Sequence, residues 1–214
     1  MRRSAWESAK DDTEGKADEA RRESDSCFSA VFDQVTTYHS RFTSAARRVG
    51  NMAILPLRSK ARGPAPQDPQ LTEDIIDEAL NYFKPLTFFR NYEFKSDADR
   101  VLVYLVLYIL ECLKKLQRCP TKSQGSKELT SLALARFDIP GDSGFPRELN
   151  NLYAKPSAAD SGLMREYISQ LRTELGLRLL DKVYADDQSP PSKWWLCFAR
   201  RKFLDQSLSA PGSC

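Results

Sequence analysis

The sequence holds few side chains whose type and spacing suit catalysis. Its single histidine, His39, lies beside Tyr38 and Ser40, so a His-dependent triad is open to it but poorly supported. The alternative interpretation is a surface histidine in a flexible segment. We therefore predict that the chain is not an enzyme and that it has no catalytic residue.

The cysteines do not have the spacing of a metal site. Cys112 and Cys119 are two helical turns apart, but no third Cys or His lies near them, and zinc sites use closer and fuller ligand sets. Five scattered cysteines and no secretory signal favour reduced thiols in an intracellular protein. We predict buried, inert thiols at Cys112 and Cys197, and no metal or cofactor site.

Three short polar motifs have structural explanations. Gly141–Gly144 lacks the Gly-Lys-Ser/Thr end and the preceding strand of a phosphate loop, which predicts a turn. The paired carboxylates Asp97 and Asp99 stand where a helix is capped, and Asp186 and Asp187 stand in a polar loop. None of the three predicts a binding site.

The stretch from Ser192 to Leu204 allows two interpretations. Its aromatic side chains are interleaved with basic ones, and such a pattern can stack bases and bind phosphates of single-stranded nucleic acid. At helical spacing the same aromatics dock a helix on its core, which we prefer, with an interface role for the basic face. The residues concerned are Trp194, Trp195 and Phe198, with Lys193, Arg200, Arg201 and Lys202.

These motifs depend on a central apolar stretch for their positions. Val101–Leu110 is apolar on every helical face, so a helix here is buried, and its ten residues fall short of the roughly 20 that cross a bilayer. Ser96 followed by Asp99 is typical of a capping box, which predicts one helix from Asp97 to Gln117 and no membrane span.

Further helices are predicted around this one, because apolar residues recur at helical spacing. We predict one that Thr72 caps and Pro85 ends, a weaker one over Ser126–Leu134, one over Asp160–Val183, and the last over Ser192–Leu204. No strand-turn-strand pattern is evident. The predicted fold is all-α, a compact bundle of about five helices around the buried central helix.

Composition divides the chain into three parts. Residues 1–36 are rich in charged and small residues, which predicts a disordered extension. Residues 37–70 are basic and end in a Gly/Pro-rich run, which predicts an extended arm carrying the apolar patch Met52–Leu57. Residues 71–214 form the helical domain. The net charge of +3 neither requires nor excludes an anionic partner.

Several stretches, taken in order between Tyr38 and Gly212, resemble subunit 3 of the actin-related protein 2/3 complex. This resemblance implies a helical, non-catalytic subunit that binds the actin-related protein 3 subunit and stabilises an assembly that nucleates branched actin filaments. It also implies a cytoplasmic location in the actin cytoskeleton of the cell cortex and projections. The stretches are Gly50–Pro56, Arg58–Ser59, Gly63–Pro66, Ala98–Arg100, Glu111–Leu116, Ser123–Gly125, Gly144–Pro146, Tyr153–Pro156, Gly176–Leu179 and Lys193–Trp195.

Two groups of residues are the candidate contacts for the other subunits of such an assembly. One is apolar and would bury at a subunit interface or on the domain itself: Met52, Ile54 and Leu55. The other is basic and would face acidic, actin-like surfaces: Lys114, Lys115, Arg200 and Arg201. The rival function, single-stranded nucleic-acid binding, uses Trp194 and Trp195; under the preferred interpretation no nucleic acid is bound.

Overall fold

A computed structural model describes residues 38–43, 47–59, 62–68 and 70–208. The predicted disordered extension and two cysteines, Cys27 and Cys214, lie outside the described residues. His39 and the described residues after it belong to one structural unit. Its elements are β1 (Arg47–Val49), β2 (Met52–Ile54), α1 (Ile75–Leu86), α2 (Asp97–Leu116), α3 (Lys122–Leu134), α4 (Arg147–Asn150), α5 (Ser161–Val183) and α6 (Lys193–Leu196).

Helix α2 is the predicted central helix. Ser96 is its N-cap: its side chain accepts from the Asp99 backbone N–H, and the Asp99 carboxylate accepts from the Ser96 backbone N–H, which confirms the capping box. Every residue from Val101 to Leu113 is buried. Helices α1, α3, α5 and α6 and strand β2 all contact α2, so this chain itself covers the central helix.

Helix α1 differs from its prediction at both ends. Asp74, not Thr72, is the N-cap, and its side chain accepts from the backbone N–H groups of Ile76 and Asp77. Pro85 lies inside the helix, which ends one residue later. A proline in the last turn removes only one helical hydrogen bond, so the turn survives it.

Helices α3 and α5 pack against each other in antiparallel directions. A Cβ at Gly125, near the start of α3, would lie 3.0 Å from side-chain atoms of Leu116 and of Leu180, near the end of α5. Gly176 similarly faces Leu129 one turn further along each helix. The glycines therefore allow the two backbones to approach closely. The α5 prediction is confirmed to within one residue, whereas α3 begins four residues before the predicted start.

The all-α prediction is wrong in one detail, a small antiparallel hairpin. Strands β1 and β2 pair with Val49 opposite Met52, and Gly50 occupies the turn with a φ of +59°. The Asn51 side chain fixes this turn, since its Nδ2 donates to the Leu152 carbonyl at 3.1 Å. Strands of three residues are too short to show an alternating pattern, and β2 is buried at all three positions.

The last helix is much shorter than predicted. Helix α6 stops at Leu196, and single turns follow it, with Phe198 N–H donating to the Trp195 carbonyl and Arg201 N–H to the Phe198 carbonyl. Leu204 has a φ of +55°, which no helix continues through. Tertiary contacts of the aromatic side chains override the helical pattern here.

Candidate interaction surfaces

The histidine of the arm is part of a buried polar cluster, not of a flexible surface. His39 Nδ1 lies 3.0 Å from Oδ2 of Asp99, a fully buried carboxylate at the start of α2. The Ser40 backbone N–H donates to the other Asp99 oxygen at 2.7 Å. Ser40 Oγ donates to Glu78 instead of His39, so the described residues around His39 do not assemble a triad.

Glu78 of α1 holds the same end of the arm. This carboxylate is buried and accepts from Ser40 Oγ at 2.8 Å, from the Arg41 backbone N–H at 2.9 Å and from Arg41 Nε at 3.1 Å. Hydrogen bonds satisfy its charge, so its burial is tolerated. The first described residues of the arm are thus fixed to both α1 and α2.

Asp74 holds the arm at a second point, on the other side of the hairpin. Its carboxylate is fully buried, accepts from the Arg58 backbone N–H at 2.9 Å, and pairs with both terminal nitrogens of Arg178 at 2.7 and 2.8 Å. Burial alone would raise the pKa of Asp74, but the hydrogen bonds from Arg178 and Arg58 and the Arg178 charge outweigh it and lower the pKa below its usual value. One carboxylate therefore joins the arm, α1 and α5.

The apolar candidate residues lie inside this chain. Met52, Ile54 and Leu55 are all buried, and the Leu55 backbone N–H donates to the Tyr167 hydroxyl of α5 at 3.0 Å. Of the two locations that the sequence allowed, the domain itself is the one observed. Their packing leaves the basic group as the accessible candidate surface.

The basic candidates differ in how much they are already engaged. Lys114 donates to Glu111 at 2.8 Å and to Ser207 at 2.9 Å, so it holds the C-terminal segment, residues 193–208, on α2. Lys115 is exposed and, within the described ranges, makes no ion pair. Arg201 is exposed, with its guanidinium 4.3 Å from the Phe88 ring centre, and Arg200 is exposed beside it.

The aromatic residues before this pair separate into two kinds. Trp195 is buried and stacks on Phe83 of α1, with ring centres 5.7 Å apart and planes 11° from parallel, and Phe198 meets the edge of the same ring. The docking interpretation is confirmed for these two. Trp194, in contrast, is 80% exposed, so the interpretation is wrong for that residue.

The remaining motifs have the predicted structural roles, with one exception. Burial raises the pKa of the Cys112 thiol to about 12, as expected for an inert thiol, but Cys197 is exposed, against the prediction. Its neighbours Trp195 and Phe198 occupy the contacts with α1, which leaves the Cys197 side outward. Gly141–Gly144 forms a turn, and Asp186 closes a loop by accepting from the backbone of Gln188 and Ser189.

The part of the chain that the structure describes contains neither a cluster of metal ligands nor a membrane-spanning helix. Among them, no three or more His, Cys, Asp or Glu residues are grouped so that they could hold a metal ion. None of the described helices has the length and apolar character to cross a membrane.

Sequence reasoning missed the buried carboxylates Asp74 and Glu78 and the arginine that pairs with one of them, Arg178. The chain separates Asp74 and Arg178 by 104 positions, so no local pattern relates them. The only sequence signal of such a buried carboxylate is an acidic residue between apolar neighbours on a core-facing helix, as at Glu78. This signal does not indicate which residue pairs with the carboxylate.

Comparison with known proteins gives one consistent result. The family model described as "P21-Arc: ARP2/3 complex ARPC3 (21 kDa) subunit" matches residues 35–208. The chain is 50% identical to a protein of Caenorhabditis elegans named "Probable actin-related protein 2/3 complex subunit 3", over 82% of this chain and 97% of that protein. It is 46% identical to proteins named "Actin-related protein 2/3 complex subunit 3" from Dictyostelium discoideum, over 80% of this chain and 99% of that protein, and from Saccharomyces cerevisiae, over 80% and 98%. The hairpin, the central helix and the four basic candidate residues lie within the residues that the family model matches. The chain therefore belongs to the family of the 21 kDa subunit, subunit 3, of the actin-related protein 2/3 complex.

Proposed function

We propose that this chain is a non-catalytic structural subunit of an actin-related protein 2/3 complex. In this role it binds the actin-related protein 3 subunit, stabilises the assembly and supports nucleation of branched actin filaments. The proposal places it with the actin cytoskeleton, at the cortex and in projections of the cell. Family membership across almost the whole described chain is the observation that carries it.

The structure supports a scaffolding role through the rigidity of its own fold. Three buried carboxylates tie the arm to helices α1, α2 and α5, and the apolar arm residues pack on the domain. A subunit built this way presents a fixed surface, which lowers the entropy cost of binding a partner.

The contact surface we propose consists of Lys115, Arg200 and Arg201, with Lys114 in a mainly internal role. Lys115 and Arg200 are exposed and make no ion pair with the described residues, so their charge is available to an acidic partner. Arg201 is braced on Phe88, which keeps its guanidinium in place. Charge complementarity of this kind sets specificity and association rate.

The test is assembly of the complex with a charge-reversed subunit. The tagged full chain, carrying Lys115→Glu, Arg200→Glu and Arg201→Glu, would be expressed with the other subunits, purified at moderate salt and assayed for branch formation. We expect weaker recovery of the actin-related protein 3 subunit and fewer branches, because like charges now oppose each other.

A matched control separates this surface from net charge. Lys127→Glu, Arg147→Glu and Lys182→Glu make the same change at three other exposed positions. The control should assemble and branch normally. An equal loss of assembly and branching in both variants, or no loss in the first variant, would rule out the proposed contact surface. Failure of the wild-type chain to co-purify with any subunit would rule out the proposed function.

A further inference from the structure

The loop between α5 and α6, residues 184–192, carries a sequence feature that the proposed function does not use. Ser189 is followed by Pro190 and Pro191, and it is the only serine or threonine of the 214 residues that directly precedes a proline. Residues 185–188 and Pro190 are exposed, and Ser189 is partly exposed. Its hydroxyl therefore stands near the surface in a short segment that prolines follow.

The two prolines favour an extended backbone without N–H donors. A proline has no N–H and a fixed φ, and the residue before it prefers the extended region. Protein kinases bind the acceptor residue of a substrate in an extended segment. One class of them requires a proline directly after the acceptor, because a backbone N–H at that position would be left without a partner. Ser189–Pro191 has the residue types that this class selects.

A carboxylate of the same loop holds the Ser189 hydroxyl. The hydroxyl donates to Asp186 Oδ2 at 2.6 Å, and the backbone N–H groups of Gln188 and Ser189 donate to Asp186 Oδ1 at 2.9 and 2.7 Å. These donors, the Ser189 hydroxyl first among them, hold the pKa of Asp186 below its usual value. The turn therefore consists of a charged carboxylate and the three donors that it accepts from.

A phosphate on Ser189 would stand among acidic groups. Asp186 and Asp187 share its loop, and Asp181 lies in the last turn of α5. Lys122 of α3 is already paired with them, since its Nζ lies 2.9 Å from Asp181 Oδ1 and 4.0 Å from Asp187 Oδ1. Phosphoserine carries about −1.5 to −2 charges at pH 7 and no longer has the hydroxyl proton that Asp186 accepts. Charge repulsion and the lost donor both act against the turn.

Contacts at both ends of the loop confine such a change to the loop itself. The Ser192 backbone N–H donates to the Val183 carbonyl at 2.8 Å, which joins the end of α5 to the start of α6. Tyr184 is buried, and its hydroxyl donates to the Cys119 carbonyl at 2.7 Å. Neither contact uses a group of the turn. The fold can therefore accept a phosphate on Ser189.

We propose that Ser189 is a phosphorylation site for a proline-directed serine/threonine kinase, and that the phosphate opens the turn that Asp186 closes. In the reaction the bond between Ser189 Oγ and the γ-phosphorus of ATP forms, the bond from that phosphorus to the leaving oxygen of ADP breaks, and the hydroxyl proton passes to the catalytic carboxylate of the kinase. The site includes no residue of the proposed contact surface and does not depend on the proposed function.

The first experiment locates the phosphate on the full chain. The folded protein is incubated with ATP and a purified kinase of the mitogen-activated class, and mass spectrometry of its peptides identifies the modified residues. We expect phosphate on Ser189 in the wild-type chain, none at this position in Ser189→Ala, and wild-type incorporation in Ser192→Ala, because Ser192 precedes a lysine. Absence of phosphate from Ser189, or equal total incorporation in Ser189→Ala, would overturn the site.

The requirement for proline is tested by a variant that keeps the hydroxyl. Pro190→Ala should lower the rate of Ser189 phosphorylation about tenfold, because the new backbone N–H has no partner in the kinase. Circular dichroism checks that this variant is folded. An unchanged rate would overturn the assignment to a proline-directed kinase.

Neighbouring carboxylates test whether the turn holds the hydroxyl. Asp186→Ala should raise the rate of Ser189 phosphorylation by a few-fold, because the hydroxyl no longer gives up a hydrogen bond when it enters the kinase. Asp187→Ala is the matched control, since it removes the same charge at an exposed carboxylate whose described contact is Lys122 at 4.0 Å. It should be phosphorylated at the wild-type rate. Equal rates for the two variants would show that Asp186 does not restrain Ser189.

Opening of the turn is measured by amide hydrogen exchange of the phosphorylated chain. The Gln188 amide should exchange several-fold faster than in the unmodified chain, because it loses its bond to Asp186. In Ser189→Ala, which keeps this backbone bond and gains no charge, the Gln188 amide should exchange at close to the wild-type rate. The Ser192 amide should stay protected in all three proteins. Unchanged exchange at Gln188 after phosphorylation, or equally faster exchange at Ser192, would overturn the local opening of the turn.

Discussion

The arm and the C-terminal segment both wrap the helical core, but different forces hold them. Buried carboxylates at Asp74, Glu78 and Asp99 hold the arm, each accepting several hydrogen bonds. The C-terminal segment rests on stacked aromatic rings and on the surface contacts of Lys114 and Arg201. The arm is thus fixed by directional bonds in the interior in addition to its buried apolar residues, and the C-terminal segment mainly by the packing of aromatic rings.

Because of this difference, we expect the arm to contribute mainly to the stability of the fold and the C-terminal segment mainly to the binding surface. Truncating one partner of a buried charged network leaves the others unsatisfied, so the arm's contacts are expensive to disturb. The C-terminal segment keeps Trp195 and Phe203 inside but leaves Trp194, Cys197 and Arg200 outside. We therefore expect mutations in the arm to act on folding, and mutations of the exposed C-terminal residues to act on binding.

The largest effect should come from Asp74→Ala. The change removes one of the three carboxylates that pair with Arg178, the side-chain N-cap of α1 and the acceptor for the Arg58 backbone N–H. We expect the free energy of unfolding to fall by about 5 kcal/mol, measured by urea denaturation. Asp187→Ala, at an exposed carboxylate, should stay within about 0.5 kcal/mol. Similar values for the two would show that the arm is not fixed as described.

Neighbouring tryptophans test the C-terminal segment. Trp195→Ala removes the ring that stacks on Phe83 and should cost about 3 kcal/mol of unfolding free energy, whereas Trp194→Ala should cost less than about 0.5 kcal/mol. Circular dichroism should follow unfolding, because the substitutions remove fluorophores. If Trp194→Ala were the more damaging, the assignment of inner and outer aromatic residues would be reversed.

Acid should weaken the arm before it weakens the aromatic contacts. The pKa of Asp74 is lowered in the folded state, so its contribution is present above the unfolded pKa of about 3.9 and is lost as the pH falls through the folded pKa. In that range stability should fall by up to about 1.4 kcal/mol per pH unit for this group. Urea midpoints at falling pH should show a shallower slope for Asp74→Ala than for wild type. The Trp195→Ala slope should match the wild type, since no carboxylate is changed.

The sequence predicts the helices well where the chain's local pattern and its tertiary contacts agree. The capping box at Ser96 and the apolar run after it specify α2, and the long stripe of α5 specifies its bounds. The hairpin was missed although Gly50-Asn51 between apolar neighbours is a two-residue turn signal, because the strands are too short for an alternating pattern. The predicted length of the last helix was wrong, because Trp195 and Phe198 both pack against the ring of Phe83 and a longer regular helix does not follow them.

The candidate site was less predictable than the fold. Lys115 and Arg200 are exposed, whereas Lys114 donates to Glu111 and Ser207. The sequence does not show this difference, because it depends on where Glu111 and Ser207 lie in the fold. A groove lined by Arg62, Arg136 and Arg165 cannot be predicted from the sequence, because these residues come from three different parts of the chain. Composition gives the number of basic residues but not which of them the fold leaves unpaired.

The smallest effect concerns the adjacent arginines of the C-terminal segment. Arg201→Ala removes a cation–π contact with Phe88 at an exposed site and should lower the free energy of unfolding by about 0.5 kcal/mol, whereas Arg200→Ala should leave it unchanged. Both changes should weaken assembly with the other subunits, since both remove a charge from the proposed contact surface. Urea denaturation of the purified chain, paired with co-purification of the complex, measures the two quantities separately. A loss of assembly that tracked stability alone would mean that these arginines support the fold of the segment; a loss in Arg200→Ala at full stability would show that the segment presents its charge to a partner.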